Sequence, residues 1–266
     1  MTESHVLLTG LGFGESPRWH EDRLWLANWG TGDVLAVDTA GRGEVMLHVA
    51  TTIPYSIDWL PDGRLLIVSG QEGLLLRQEP DGSLVTHAEL GGLFNEIVVD
   101  DRGNAYVNGG NVLLVTPAGV AREVAADLAF GNGMAITPDG STLIVAESHG
   151  HRLTAFDIAA DGGLSGRRVW ADLGDAAPDG ICLDAEGAAW YADVPHKRCV
   201  RVREGGEVLQ TVDFEHGCFA CMLGGADRTT LFSLTAEWRG MESIGDPGTT
   251  GRVLTTEVPV AGTGRP

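Results

Sequence analysis

One layout recurs along this chain: an apolar run, a tight turn built on Gly, and a second apolar run. It is plainest in MAITPDGSTLIVAES (134–148) and SIDWLPDGRLLIVSG (56–70), where Pro-Asp-Gly makes the turn. EIVVDDRGNAYVNGG (96–110), GICLDAEGAAWYADV (180–194), the shortened SPRWHEDRLWLANWG (16–30) and CMLGGADRTTLFSLT (221–235) repeat it. A third strand follows most copies, as in DVLAVD (33–38), RLTAFD (152–157) and CVRVR (199–203). A period of roughly 40 residues with three or four strands each predicts a β-propeller. Six units fill residues 1–266, so the expected fold is all-β, a single six-bladed β-propeller domain. A β-sandwich would not repeat one turn at one period. Gly is abundant, 38 of 266 residues, which suits many turns. Residues 120–130 come nearest to a helical pattern, but Gly119, Gly131 and a β-branched start argue against a helix.

Aligned on their turns, the repeats expose one special position ahead of each first strand: Glu15, Tyr55, Asn95, Asn132, Asp179 and Ala220. Four of these carry a side-chain carbonyl or carboxylate oxygen. First strands of propeller blades line the central channel, so Glu15, Asn95, Asn132 and Asp179 are expected to converge at one mouth. Asn132 lies between Gly131 and Gly133, where a β-branched residue would make better strand; the glycines allow close approach and unusual backbone angles. Inward-facing oxygens without compensation are costly. A hard divalent cation compensates them, and Ca²⁺ takes six to eight oxygen ligands. The expected site is therefore a metal site in the central channel. A lone Asn or Asp before a strand is an ordinary turn residue; four at matched positions are not.

The formal charge of −19 argues against nucleic-acid partners, which need Lys/Arg stripes. No apolar run reaches the roughly 18 residues of a membrane span. MTESHVLLTG has no basic, then apolar, leader, so the expected location is cytoplasmic. Cys182, Cys199, Cys218 and Cys221 include a lone CxxC without a second pair, and read as buried structural thiols. His149, His151 and His216 are acid/base candidates by residue type. GFGES lacks the strand–Ser–helix setting of a nucleophile elbow, and the Gly-rich GLGFG precedes a strand, which argues against a phosphate loop.

GFGESPRW, FNEIVVDDRGNAYV, FGNGMAITPDGSTLIVAES and APDGICLDAEGAAWYAD occur here in one order. In that order and spacing they resemble the senescence-marker-protein/gluconolactonase/luciferin-regenerating-enzyme family. The resemblance implies a six-bladed propeller with one divalent metal in its channel, and hydrolysis of lactones. It implies that Glu15, Asn132 and Asp179 bind the metal, that Asp179 also serves as catalytic proton donor and acceptor, and that Asn95 addresses substrate or metal-bound water. Ca²⁺ is the first expectation for the ion, with Zn²⁺ or Mn²⁺ as alternatives. The expected partner is a small-molecule lactone or ester. Paraoxonases and diisopropylfluorophosphatases share a related architecture, so an organophosphate or aryl-ester hydrolase is an alternative. Others are a non-hydrolytic ligand-binding propeller and a non-enzymatic scaffold. Three positions depart from the family pattern: Leu93 stands where animal gluconolactonases have Arg, Glu96 where Asp follows the Asn, and Glu147 where Asp is usual. The first weakens the expectation of a polyhydroxylated sugar lactone.

Overall fold

A computed structural model describes residues 3–51, 53–240 and 248–264. Its strands form six four-stranded antiparallel sheets, each a blade. The first strands, innermost in each blade, are Phe13–His20, Tyr55–Trp59, Glu96–Val99, Gly131–Ile136, Pro178–Leu183 and Gly217–Gly224. Each contacts its neighbours in the ring, the last closing on the first. Residues 121–125 form an outer strand, not a helix, as the flanking glycines argued.

Blade 6 is built from both ends of the described chain. Its inner three strands come from Gly217–Gly224, Thr230–Ala236 and Gly251–Glu257, and its outermost is Ser4–Leu11. Ser4 Oγ and Thr256 Oγ1 lie 2.8 Å apart across that seam.

Apolar residues form a wedge between each pair of facing blades. Leu66, Val68 and Leu75 of blade 2 meet Ile97, Val99 and Val107 of blade 3; Ile144 and Leu153 of blade 4 meet Ile181 and Tyr191 of blade 5. Second strands have both faces covered and read as continuous apolar runs, such as Leu65–Ser69. Outer strands face water and lose that pattern, as in Gly43–His48. All four cysteines are free and buried in the wedge shared by blades 5, 6 and 1, as expected of structural thiols. Among the described residues no helix is long and apolar enough to cross a membrane.

Candidate functional site

The first strands begin at one mouth of the channel, and three of the four oxygen-bearing residues stand where those strands break register. Pairing with the second strand shifts between Glu15 and Arg18, between Gly131 and Met134, and between Pro178 and Ile181. Such bulges insert extra residues and re-aim their side chains. Asn95 differs. It directly precedes Glu96–Val99, which pairs without any shift. Even so, Asn95 Nδ2 donates to Asn132 Oδ1 at 2.9 Å, joining blades 3 and 4 at the mouth.

The glycines beside Asn132 serve close approach. A Cβ on Gly133 would lie 2.5 Å from the Asp179 carbonyl oxygen and 2.7 Å from Gly180 Cα; a Cβ on Gly180 would lie 2.7 Å from Ala220 Cα. Glycine here lets successive first strands touch at the axis. Neither Gly131 nor Gly133 has a positive φ; the left-handed residue is Phe130, at φ 61°.

These contacts correct one equivalence. Turn alignment put Ala220 level with the four oxygens. In the structure Ala220 stacks on Gly180 as Gly180 stacks on Gly133, so Ala220 matches the glycines. The blade 6 register shift falls between Cys218 and Ala220 and leaves Phe219 at the level of Asp179. A bulge slides the count by one, which turn alignment cannot see. Phe219 is buried, with its ring 4.8 Å from Phe13 and 5.7 Å from Trp238. The mouth is thus polar on blades 1, 3, 4 and 5, and aromatic where blades 6 and 1 meet.

The amide of Asn132 is oriented by its surroundings. Ser148 Oγ donates to the Pro178 carbonyl at 2.6 Å and accepts from Asn132 Nδ2 at 3.4 Å. Oδ1 is left toward Asn95, with a second lone pair free. The backbone carbonyl of Asn132 accepts from Asn108 Nδ2 at 2.5 Å.

Glu15 and Asp179 are in a different situation. Glu15 is 8% exposed, and its carboxylate accepts one N–H, from its neighbour Ser16, at 3.3 Å. Asp179 is half-buried, and its carboxylate has no hydrogen-bond partner among the described residues. Burial first, then the Asp179 and Glu96 charges, push the Glu15 carboxyl well above the usual range. Burial first, then Glu96 and Cys221, do the same to Asp179. Two carboxylates in one recess, lacking a cationic partner, fit a bound cation, whose charge would oppose the upward push on both carboxyls. Glu15, Asn132 and Asp179 are the residues that could hold it, an all-oxygen set suited to a hard ion.

Below this level lies a network that the sequence did not reveal. Arg18 is 5% exposed; its Nη2 donates to Glu96 Oε1 at 3.1 Å and to the Ile97 carbonyl at 2.6 Å. Asp58 Oδ1 lies 3.9 Å from Arg18 Nε, and Asp58 Oδ2 accepts from Val99 N–H at 2.8 Å. Ser16 and Ile57 exchange hydrogen bonds across blades 1 and 2. Arg18 stands in GESPRW, but its partners come from other blades, so only the fold pairs them.

Glu147 is also placed plainly. It is fully buried and accepts hydrogen bonds from Arg152, Arg167, Thr154 and the Ala129 N–H. Burial alone would raise its carboxyl, but these hydrogen bonds and the Arg152 charge bring it down to about 2. Asp193 in blade 5 does the same work, accepting from Ala177 N–H, His196 and Arg198. Each carboxylate latches the backbone leading into its blade's first strand.

None of the histidines hydrogen-bonds to Glu15, Asn95, Asn132 or Asp179 among the described residues. His151 Nδ1 is 2.8 Å from the Ala176 carbonyl oxygen, His149 stacks on Phe130, and His216 Nε2 is 3.8 Å from Glu215. Trp29 donates to the Tyr55 carbonyl inside the wedge between blades 1 and 2. A cavity of about 380 Å³ lies at the opposite end of the channel, among turn residues including Asp100 and Asp139. Both of those carboxylates are occupied by their own turns, Asp100 also holding the Arg102 and Asn104 side chains.

Six blades, a channel ringed by first strands and a mouth set with two acids and two amides define a class of propeller. Residues 13–237 match the model of the SMP-30/gluconolactonase/LRE-like region, and the chain belongs to that family. It is 28% identical over 216 residues to a 6-deoxy-6-sulfogluconolactonase of Pseudomonas putida, covering 76% of this chain and 72% of that one. It is 27% identical over 263 residues to regucalcin of Xenopus laevis, covering 86% and 84%. Among solved structures, a luciferin-regenerating enzyme superposes with a TM-score of 0.85 over 98% of this chain and 97% of that one, at 17% identity.

Proposed function

We propose that this chain is a divalent-metal-dependent lactonase, opening a cyclic ester to its hydroxy acid. One observation carries the reading: Glu15 and Asp179, recessed and without a cationic partner, stand beside two oriented amides at the channel mouth. The lactonase name of the Pseudomonas putida relative supports it. Glu15, Asn132 and Asp179 would hold the cation, with Ca²⁺ proposed first. When bound, the cation supplies Lewis-acid polarisation of the ester carbonyl.

The protein's part is positioning and proton transfer. Asn95, tied to Asn132, offers its amide to the substrate or the attacking water. Asp179 accepts a proton from that water as its oxygen bonds to the acyl carbon. The acyl–oxygen bond then breaks, and Asp179 returns the proton to the departing ring oxygen. Glu15 takes no proton in this scheme; its charge holds the cation. Arg18 and Ser16 hold Glu96 Oε1 beneath, which keeps that carboxylate engaged outside the proposed ligand set.

Chelator-stripped protein assayed on lactones, aryl esters and phosphotriesters, with Ca²⁺, Mn²⁺ or Zn²⁺ restored singly, tests this. Lactone hydrolysis should vanish with chelation and return with one of the ions. Phosphotriesters turning over ahead of every lactone, or full activity in excess chelator, would overturn it.

A further inference from the structure

Nine large apolar side chains are exposed among the described residues. Seven of them, such as Val45, Val85 and Val208, lie on or directly beside outermost strands, where scattered exposure is ordinary. Leu93 and Phe130 are the exceptions. At 63% and 45% exposed, they stand two residues ahead of Asn95 and Asn132, on the segments that enter the channel in blades 3 and 4. The two segments are contiguous: a Cβ on Gly109 would lie 2.5 Å from the Leu93 carbonyl oxygen, and one on Gly131 2.9 Å from that of Gly109.

Phe130 is held in place. Its backbone is left-handed at φ 61°, a conformation that costs a bulky residue energy and persists only where the surroundings impose it. Its N–H donates to Leu128 and its carbonyl accepts from Ser148. Its ring stacks on His149, with centroids 4.6 Å apart. A phenyl ring fixed at this exposure beside a polar site presents an apolar face to whatever enters. Neither Leu93 nor Phe130 offers a hydrogen bond to a hydroxyl-bearing substrate.

We infer that Leu93 and Phe130, with His149 behind the ring, form an apolar collar at the mouth that selects a lactone carrying a hydrocarbon chain on its ring. The lactone head sits at the level of Asn95 and Asn132, and the chain lies outward along the collar. This rests on the lactonase reading for the head group alone; the collar itself concerns binding.

The test uses γ-lactones from γ-butyrolactone to γ-nonalactone, with alkyl γ-lactams of the same chains as non-hydrolysed ligands measured by calorimetry. In the metal-loaded protein, kcat/KM for lactones and affinity for lactams should each rise about two- to fourfold per added methylene, the value of burying a CH₂. Phe130→Ser and Leu93→Asn, both at exposed positions, should each flatten the two slopes, and Phe130→Tyr should restore most of the first. Flat slopes in the natural sequence, or slopes untouched by both substitutions, would overturn the collar. So would a Phe130→Ser variant that splits a dimer of this chain and leaves the slopes intact, because the patch then faces a second copy. Lactam slopes without any lactone turnover would leave the collar standing and remove the hydrolase reading. Rapid turnover of a sugar lactone with flat lactam slopes would do the reverse.

Discussion

Glu147 and Glu15 are both buried glutamates at the mouth side of the propeller, and they have opposite surroundings. Glu147 holds two arginines, a hydroxyl and a backbone N–H, and its carboxyl is brought down to about 2. Glu15 holds one neighbouring N–H and faces Asp179, and its carboxyl is pushed up. The first arrangement is complete without a ligand and fastens the strand entrance. The second has no such partners, and on the proposed reading a cation would complete it. Both are buried and of one residue type, so it is the partner list that separates a structural acid from a candidate for chemistry.

The largest effect should come from the unpartnered side. On the proposed mechanism, Asp179→Asn keeps an oxygen for the cation and removes the proton carrier, so kcat/KM should fall by about 10²–10⁴ with metal still bound by titration. Near-normal turnover would reduce Asp179 to a ligand. Asn95→Ala should lower kcat/KM by about 10–10³, again with metal retained.

Glu147→Gln should act on the other side. It leaves Arg152 and Arg167 without their acid, and because both are about one-third exposed, the loss should be about 2–4 kcal/mol, below the full cost of breaking a buried pair. Denaturant unfolding in excess chelator measures it. Glu15→Gln in the same buffer should lose nothing and gain slightly, since a like-charge contact disappears. Equal losses in the two variants would erase the distinction drawn above.

The pH dependence of the metal-free protein should show both kinds of acid. A raised carboxyl makes the folded state bind more protons than the unfolded one, so stability should climb as pH falls from 7 toward the ordinary carboxylate range. Glu147 works in reverse: its contribution is whole above its ordinary value of 4.5 and is lost as pH drops through about 2. A melting-temperature series should therefore rise and then fall. Saturating cation should remove the rise, while Glu147→Gln should soften the fall. A smaller effect is expected from Cys218→Ala with Cys221→Ala. Both thiols lie in the wedge, so some stability should be lost while metal content stays unchanged.

What the sequence disclosed follows from what is local. Turn chemistry and strand alternation repeat within each blade, so blade count and strand order were legible from Pro-Asp-Gly and its variants. Asn132 and Asp179 were legible because each sits a fixed distance before such a turn. Phe219 was not, because the bulge after Cys218 moves the count by one. Arg18 and Glu96 stood in recognised motifs, but their pairing depends on which first strands touch at the axis. Glu147 looked like a departure from a family pattern; the arginines that explain it lie on the next two strands of the same blade.

The seam in blade 6 bears on how the site comes into being. Ser4 and Thr256, partners in the closing pair, are 252 residues apart, so a ribosome must release nearly all of the described chain before the circle can shut. Until then blade 1 has no neighbour on one flank, and Glu15 has no settled distance to Asp179. The recess between Glu15 and Asp179, where the proposed cation would sit, is therefore among the last features to mature. An ion offered during refolding should hasten the final docking of the terminal strand and leave the earlier blades indifferent.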